Sequence, residues 1–288
     1  MQFSLPLVCY ELNIHIIVDQ TRKKSKYGKT PQRTVYCVVM NNNLHVVITG
    51  ASSGIGETTA RAFVAAGHRV VLAARRSELL EPLAKELDPT GTRVLVVACD
   101  VRQHSQLEAL IQTARAKFGA VQVLVNNAGV GTDQNAWWDA PVDTIDRVLE
   151  TNLTAPMYLS RLVLPEMLGA KHGHIINIGS VAGQIAVSSL YSASKFALRG
   201  FSLSLRRELS GTGVHVSLVS PGYIRTPMTQ EAQGGGLPMA EPEVVAGAIL
   251  GLLKRPRAEV IVPWWYGILI GLERRLPFLG DAIVKQRK

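Results

Sequence analysis

The chain has 288 residues, of which 47% are hydrophobic and 18% are charged, and this balance excludes an intrinsically disordered protein. Its length suits one domain with a large core. The net charge is +9, but residues 44–253 carry 17 Lys/Arg and 17 Asp/Glu, so the basic excess lies at the two ends. A nucleic-acid groove within the fold is therefore not expected.

Residues 1–43 form an N-terminal extension with six Lys/Arg and two Asp/Glu. Its beginning is fairly apolar, but Glu11 and His15 interrupt it and no small-residue cleavage site follows, which argues against a signal peptide or a membrane span. Our hypothesis is that residues 1–39 are not part of the natural fold and that Met40 is the true start. The intact mass of the native protein tests it.

A buried strand, a glycine-rich turn and a helix follow one another from Leu44 onward. Residues 44–49 are mostly apolar, as is typical of a strand covered on both faces of a parallel sheet. The turn has the spacing G-x-x-x-G-x-G and leads into a helix predicted over Glu57–Ala66. Glycines let the backbone approach a pyrophosphate, and the helix N-terminus offers N–H groups and a partial positive charge. The predicted phosphate-binding residues are Gly50, Ser52, Ser53, Gly54, Ile55 and Gly56.

The second predicted strand, Arg69–Ala74, is followed directly by Arg75 and Arg76. In dinucleotide-binding folds a carboxylate at this corner holds the adenosine ribose hydroxyls, whereas an arginine accommodates a 2′-phosphate. The corner holds two guanidinium groups and no acid, and guanidinium groups suit bidentate phosphate contacts. The pair favours NADP over NAD, with Arg75 as the stronger candidate. The alternative is that both residues are solvated charges at the start of the next helix.

Strands and helices alternate along the rest of the chain. The other predicted strands are Arg93–Ala98, Val121–Val125, Gly173–Ile178, Val214–Val219 and Glu259–Val262. The other predicted helices are Glu78–Leu87, Gln103–Phe118, Thr144–Leu168, Leu190–Leu209 and Glu243–Leu253. This alternation predicts an α/β fold, a Rossmann-type doubly wound parallel sheet that forms a single domain over residues 44–263.

Tyr191 and Lys195 are four residues apart within the predicted helix Leu190–Leu209, so they share one helix face. A fixed positive charge beside a phenol favours the phenolate, and we expect Lys195 to lower the pKa of Tyr191 toward the range of a general acid/base. This spacing is a weak signal by itself, because a solvated Lys beside a half-buried Tyr has the same pattern.

Several motifs in a fixed order strengthen that signal. They are Thr49-Gly50-Ala-Ser-Ser-Gly54-Ile-Gly56, Asp100-Val101, Asn126-Asn127-Ala128-Gly129, Asn152, Ser180, Tyr191/Lys195 and Pro221-Gly222-Tyr-Ile-Arg-Thr226. In these motifs and their order the chain resembles the short-chain dehydrogenase/reductase family over about residues 44–263. The resemblance implies an NADP(H)-dependent enzyme that transfers hydride between a nicotinamide and a carbonyl/secondary alcohol pair.

The resemblance also implies a role for each matching residue. Tyr191 would exchange a proton with the substrate oxygen, and Ser180 would donate a hydrogen bond to the same oxygen. Lys195 would lower the pKa of Tyr191 and bind the nicotinamide ribose, and Asn152 would hold a water of a proton relay. On the cofactor, Asp100 and Val101 would lie at the adenine, Asn127, Ala128 and Gly129 along the adenosine side, and Pro221, Gly222, Ile224 and Thr226 at the nicotinamide carboxamide.

One spacing departs from the family pattern. Tyr191 follows Ser180 by eleven positions, about two fewer than the family leads us to expect. The link between them should be tight, and because it normally forms a wall of the substrate pocket, the departure concerns the shape of the pocket rather than the catalytic residues. Ser188 and Ser189 lie too near the start of the tyrosine helix to replace Ser180.

The substrate is expected to be a small carbonyl or alcohol. The predicted lining is mostly apolar (Val130, Trp137, Trp138, Ile185, Val187 and residues 228–240), which hints at a lipophilic ketone. Residues 228–238, with three glycines in a row, are predicted to be a lid over this site or else a passive surface loop.

Residues 264–288 form a basic amphipathic tail. An apolar run with two Trp and a Tyr is flanked by arginines and is too short to span a membrane, so it suits a peripheral membrane contact. The alternatives are that it packs on the domain or forms a subunit contact, and we expect a homo-oligomer. Cys9, Cys37 and Cys99 have no paired spacing, so neither disulfides nor a metal site are expected and the cytoplasm is the expected location.

The competing functional hypothesis is a noncatalytic dinucleotide-binding sensor or scaffold. It predicts no need for the four residues Asn152, Ser180, Tyr191 and Lys195 together, so their joint presence favours the enzyme.

Overall fold

The computed structural model describes residues 14–18, 35–39, 43–132, 137–229 and 238–276, and the chain divides into two compact units, Met1–Asn43 and Leu44–Lys288. In the first unit, strands β1 (Ile14–Val18) and β2 (Val35–Val39) pair antiparallel, with Ile14 opposite Val39. The hypothesis that residues 1–39 lie outside the natural fold concerns a segment mostly outside the described residues.

The second unit is built on a parallel sheet of seven strands, in the order β5-β4-β3-β6-β7-β8-β9. The strands are β3 (His45–Thr49), β4 (Arg69–Ala74), β5 (Val94–Ala98), β6 (Val123–Asn126), β7 (Gly173–Ile178), β8 (Val214–Pro221) and β9 (Glu259–Val262). Every neighbouring pair in this order is parallel. The central strands β3, β6 and β7 are buried throughout, which is why they read as continuous apolar runs.

Helices connect the strands and cover both faces of the sheet. They are α1 (Gly54–Ala65), α2 (Ser77–Leu87), α3 (His104–Phe118), α4 (Asp143–Leu149), α5 (Ala155–Ala170), α6 (Ser189–Glu208), α7 (Pro242–Lys254) and α8 (Tyr266–Arg275). A π-helical turn, Glu150–Thr154, joins α4 to α5, and short 3₁₀ turns occupy Trp137–Asp139, Val181–Gly183 and Pro227–Thr229. Among the described residues, none of these helices combines the length and apolar character needed to cross a bilayer.

Two hydrophobic cores form because successive side chains of a strand point to opposite faces. On β3, Val46 and Ile48 join a core with Phe63 of α1, whereas Val47 joins a second core with Leu107 of α3. The prediction of a doubly wound α/β sheet is confirmed.

The strand order reverses between β3 and β6, because β4 and β5 lie on one side of β3 and the later strands on the other. In open parallel sheets, ligands bind beyond the carboxyl ends of the strands at such a switch point. The glycine-rich turn follows β3, and Asn127 follows β6, so both lie at this place.

One predicted helix, Thr144–Leu168, is interrupted in the structure. The π-helical turn widens the chain at Asn152, and Pro156 lies near the start of α5. Proline has no N–H to donate to the carbonyl four residues earlier, which is that of Asn152. The ordinary helical hydrogen bond cannot form there, and the wider turn replaces it.

Candidate active site

A cleft of about 300 Å³ lies at the carboxyl ends of the strands. Most of the residues predicted from the sequence line it: Gly50, Ser52, Ser53, Gly54, Ile55, Arg75, Arg76, Asp100, Val101, Asn127, Ala128, Gly129, Ser180, Tyr191, Lys195, Pro221, Gly222, Ile224 and Thr226. Of the predicted catalytic and cofactor-binding residues, Gly56 and Asn152 do not line the cleft, and each lies directly behind a residue that does. The cleft also lacks four residues that were predicted to line the substrate pocket: Trp137, Trp138, Ile185 and Val187.

The glycine-rich turn is packed closely at its glycines, where little or no space is left for a side chain. Gly50 and Gly54 have φ of +65° and +56°, a region that L side chains rarely adopt. A Cβ on Gly56 would lie 2.2 Å from the carbonyl oxygen of Gly50, which fixes α1 against the turn. The first turn of α1 therefore presents backbone N–H groups at the cleft, and Ser53, its N-cap, makes no side-chain capping bond with them.

Asn127 fastens the loop after β6 to the same turn. Its Nδ2 donates to the carbonyl oxygens of Thr49 and Gly50, at 2.9 and 3.0 Å, and its backbone N–H donates to Thr49 Oγ1. Ala128 N–H also donates to Thr49 Oγ1. Asn127 thus supports the turn through hydrogen bonds within the protein, in addition to lining the cleft.

Arg75 and Arg76 are exposed where β4 ends, whereas Asp100 is paired with an arginine that the sequence reasoning missed. Arg102 donates from Nη2 to Asp100 Oδ2 at 2.7 Å and from Nε to Oδ1 at 3.1 Å. The Arg102 hydrogen bonds are the main reason that the pKa of Asp100 is lowered. The pairing leaves Arg75 and Arg76 as the cations at the end of β4.

Ser180 and Tyr191 meet in the cleft, with Lys195 buried behind them. Both side chains line the cleft, and Ser180 is close enough to act on the pKa of the Tyr191 phenol. Lys195 Nζ donates to the carbonyl oxygen of Ile178 at 3.0 Å and lies 5.8 Å from the centroid of the Tyr191 ring. The three side chains come from the end of β7 and from one face of α6.

The expected lowering of the pKa of Tyr191 by Lys195 is not seen in the structure. Burial raises the pKa of Tyr191, and the nearby Ser180 side chain opposes this only in part. Burial also lowers the pKa of Lys195 to about 8. Desolvation disfavours both charged forms, which the helical spacing of the two residues could not reveal.

Asn152 is fully buried in the π-helical turn behind Val130. Its Oδ1 accepts from Val130 N–H, and its Nδ2 donates to Val130 O and Ser194 Oγ, at 2.9 to 3.0 Å. A Cβ on Gly129 would lie 3.5 Å from Asn152 Oδ1 and 3.6 Å from Lys195 Nζ, so both atoms face the same point of the chain. The structure brings Asn152 to the site as a support for the loop after β6.

The short link between Ser180 and Tyr191 packs closely against α6. Ser180 Oγ accepts from Ala182 N–H and starts the turn Val181–Gly183. A Cβ on Gly183 would lie 2.7 Å from the carbonyl oxygen of Lys195, so only glycine allows this approach to α6. The link is tight, as expected, and Ser180 still reaches Tyr191.

Three charged or hydroxyl-bearing cleft residues were not predicted from the sequence: Arg102, Arg147 and Thr151. Thr151 precedes Asn152 directly, and Arg102 follows Asp100 by two positions, so proximity to motifs is the signal that could have found them. The predicted lid, residues 228–238, falls mostly on residues 230–237, outside the described residues.

Comparison with known proteins agrees with this geometry. The family model described as short chain dehydrogenase matches residues 44–235. The chain is 38% identical over 223 residues to the ketoacyl reductase HetN of Nostoc sp., covering 75% of this chain and 77% of that protein. It is 38% identical over 181 residues to the NADP-dependent 3-hydroxy acid dehydrogenase YdfG of Escherichia coli (strain K12), covering 62% and 72%.

Two solved structures have a similar fold. One is the closed form of serine dehydrogenase complexed with NADP+, with a TM-score of 0.69, 32% identity and coverage of 75% of this chain and 93% of that chain. The other is a variant of actinorhodin polyketide ketoreductase with NADPH, with a TM-score of 0.70, 32% identity and coverage of 77% and 96%.

Proposed function

The chain belongs to the short-chain dehydrogenase/reductase family, and from this membership we propose that Tyr191 is the general acid/base of its reaction. The protein is an NADP-dependent oxidoreductase that acts on a carbonyl/secondary alcohol pair. The observation that carries the proposal is that Ser180 and Tyr191 lie together in the cleft, with Lys195 buried behind them.

The residues of the cleft fit NADP. The close packing at Gly50 and Gly56, which leaves no space for a Cβ, holds the N-terminus of α1 at the cleft, where its N–H groups would bind a pyrophosphate. Arg75 and Arg76 would hold the 2′-phosphate. When bound, the nicotinamide supplies the hydride in reduction and accepts it in oxidation.

Tyr191 and Ser180 would act on the substrate oxygen. Because burial raises the pKa of Tyr191, the phenol is protonated at neutral pH and suited to donate a proton to a carbonyl oxygen in reduction. Ser180 would stabilise the negative charge that develops on this oxygen. In oxidation the same two groups would act in reverse.

Lys195 and Asn152 would support the proton transfer. Lys195 has a pKa of about 8, so protonated and neutral forms both exist near neutral pH, and this suits a group that returns a proton to Tyr191. Asn152 would hold the relay water, while its side-chain hydrogen bonds fix Val130 and Ser194.

The substrate proposed for this site is a small ketone, or the matching alcohol, with apolar substituents. Trp137, Trp138 and Met228 are exposed large apolar side chains, and Met228 lines the cleft. The noncatalytic sensor is not favoured, since the relatives named above are reductases and dehydrogenases.

The test is the substitution Tyr191→Phe, assayed by NADPH oxidation with a panel of apolar ketones. Loss of the proton donor should lower kcat by about 100-fold or more, while NADPH still binds with its fluorescence change. The matched control is Tyr158→Phe, because Tyr158 lies on α5 and its hydroxyl donates to Glu108. Turnover by Tyr191→Phe equal to that of the unaltered protein would refute the proposed role.

We further propose that the outer face of α8 contacts an anionic membrane surface peripherally. Trp264, Ile268, Leu272 and Leu276 follow at every fourth position and are 74, 56, 45 and 41% exposed. The segment around the stripe is basic, since residues 254–288 carry eight Lys/Arg and three Asp/Glu. An exposed apolar stripe within a basic segment suits lipid headgroups of negative charge.

Vesicle sedimentation tests this contact. The protein should pellet with phosphatidylserine-containing vesicles, and the double variant Ile268→Ser/Leu272→Ser should lower the bound fraction about tenfold or more. Leu79→Ser, at an exposed position of α2, is the control. If the double variant leaves lipid binding unchanged but dissociates a homo-oligomer, the stripe is a subunit contact and the membrane proposal is wrong.

A further inference from the structure

The inner face of α8 is joined to the active site. Tyr266, Ile270 and Arg274 follow at every fourth position on the face of α8 that packs against the domain, and Arg274, at the end of this row, is itself exposed. Tyr266 and Ile270 are each 3% exposed, and Arg274 Nη2 donates to Gln184 Oε1 at 3.1 Å. This face therefore reaches the segment that follows Ser180.

Tyr266 fixes the loop after β8. A Cβ on Gly222 would lie 2.1 Å from Tyr266 Cε2, so the aromatic ring lies directly on this glycine. The Tyr266 hydroxyl accepts from Tyr223 N–H at 3.1 Å, and Gly222 N–H donates to Val262 O at 2.7 Å. The loop that continues to Ile224 and Thr226 is thus held between α8 and the end of β9.

Hydrogen bonds lead from Arg274 through Gln184 to Glu259. Gln184 Nε2 donates to Glu259 Oε1 at 2.8 Å, and Ser220 Oγ donates to the same oxygen at 2.8 Å. Arg199 pairs with Glu259 Oε2 at 3.0 Å. The Glu259 side chain is 15% exposed, and Gln184 and Ser220 are buried, so these bonds are shielded from water.

Each partner of Glu259 belongs to a different segment of the site. Gln184 belongs to the link from Ser180, Arg199 is one helical turn beyond Lys195 on α6, and Ser220 precedes Pro221. Ser220 is distant in sequence from the other two partners, yet one carboxylate contacts all three. None of the three partners is a group to which the reaction itself is assigned.

We infer that Glu259 is a positioning residue that holds the three active-site segments in register, and that α8 completes this arrangement through Arg274 and Gln184. Glu259 acts through its partners rather than on the substrate. The expected loss of catalytic rate rests on the proposed function. The expected loosening of the three segments does not, because it follows from the hydrogen bonds of Glu259 alone. Misplacement of reacting groups by about 1 Å can cost about 100-fold in rate, so a modest loosening should be measurable.

The experiment compares Arg274→Ala with Arg275→Ala, which removes the same charge from the next residue of α8. We expect Arg274→Ala to lower kcat about tenfold, with KM for the ketone and Kd for NADPH changed less than about threefold. Arg274→Lys should restore part of kcat, and Arg275→Ala should have no effect. Equal kcat in the two alanine variants would overturn the inference.

Hydrogen exchange gives a readout that does not depend on turnover. In Arg274→Ala and in Glu259→Gln, amides of residues 181–189 and 221–229 should exchange faster, while those of α3 should not change. Unchanged exchange in both variants would refute the positioning role, even if Tyr191→Phe has confirmed the reaction. If Arg274→Ala and Glu259→Gln exchange faster as expected but Tyr191→Phe remains fully active, only the proposed acid/base role is refuted. A uniform increase that includes α3 would indicate general destabilisation and also refute the inference.

Discussion

At the scale of single residues, the charges around the cleft divide into paired and exposed groups. Asp100 is neutralised by Arg102, so this carboxylate does not repel a phosphate at the neighbouring end of β4. Arg75 and Arg76 are exposed at that end. We therefore expect discrimination between NADP and NAD to depend on Arg75 and Arg76.

The substitution Arg75→Ala should weaken NADPH binding about tenfold or more, because it removes charge-assisted hydrogen bonds to the 2′-phosphate. NADH binding should change little, because NADH lacks this phosphate. Fluorescence titration with both dinucleotides measures the two constants, and Arg206→Ala, in the last turn of α6, is the control. Equal weakening of NADPH and NADH would show that Arg75 does not read the phosphate.

At the scale of elements, the sequence predicted the strands and the glycine-rich turn, because residues close together in the chain determine these features. The strands of the second unit were predicted to within a few residues, because buried parallel strands are continuous apolar runs. The turn from Gly50 to Gly56 was predicted because its backbone conformation and close packing require glycine.

Other features depend on contacts between distant residues and could not be predicted. The approach of Gly183 to α6 and the junction at Glu259 are set by packing in three dimensions. The raised pKa of Tyr191 likewise depends on burial rather than on the spacing to Lys195. The C-terminal helix α8 was predicted only as an amphipathic segment, since an apolar run flanked by arginines does not tell which face will be buried.

At the scale of the whole molecule, buried histidines contribute to the dependence of stability on pH. His174 is 5% exposed in β7, and its Nε2 lies 2.9 Å from Ser217 Oγ. Burial lowers the pKa of His174 to about 3, and burial also lowers the pKa values of His45 and His68. The folded state therefore binds fewer protons than the unfolded state when the pH falls below about 6.5.

The free energy of unfolding should accordingly decrease as the pH falls from about 6.5 toward 3. His174→Gln should make this decrease less steep by up to about 1.4 kcal/mol per pH unit, the contribution of one proton. Urea denaturation between pH 4 and pH 8 measures the slopes, with the exposed His104→Gln as control. If the unaltered protein and His174→Gln lose stability with the same slope, burial of His174 does not contribute to the pH dependence and this prediction is wrong.

The glycine-rich turn meets the loop after β8, since a Cβ on Gly54 would lie 3.0 Å from Thr226 Cγ2. One wall of the dinucleotide cleft thus comes from the beginning of the second unit and another from near its end. During synthesis on the ribosome, the nascent chain cannot form this cleft until most of the unit has emerged. NADP can then stabilise the finished protein, but it cannot guide the early steps of folding.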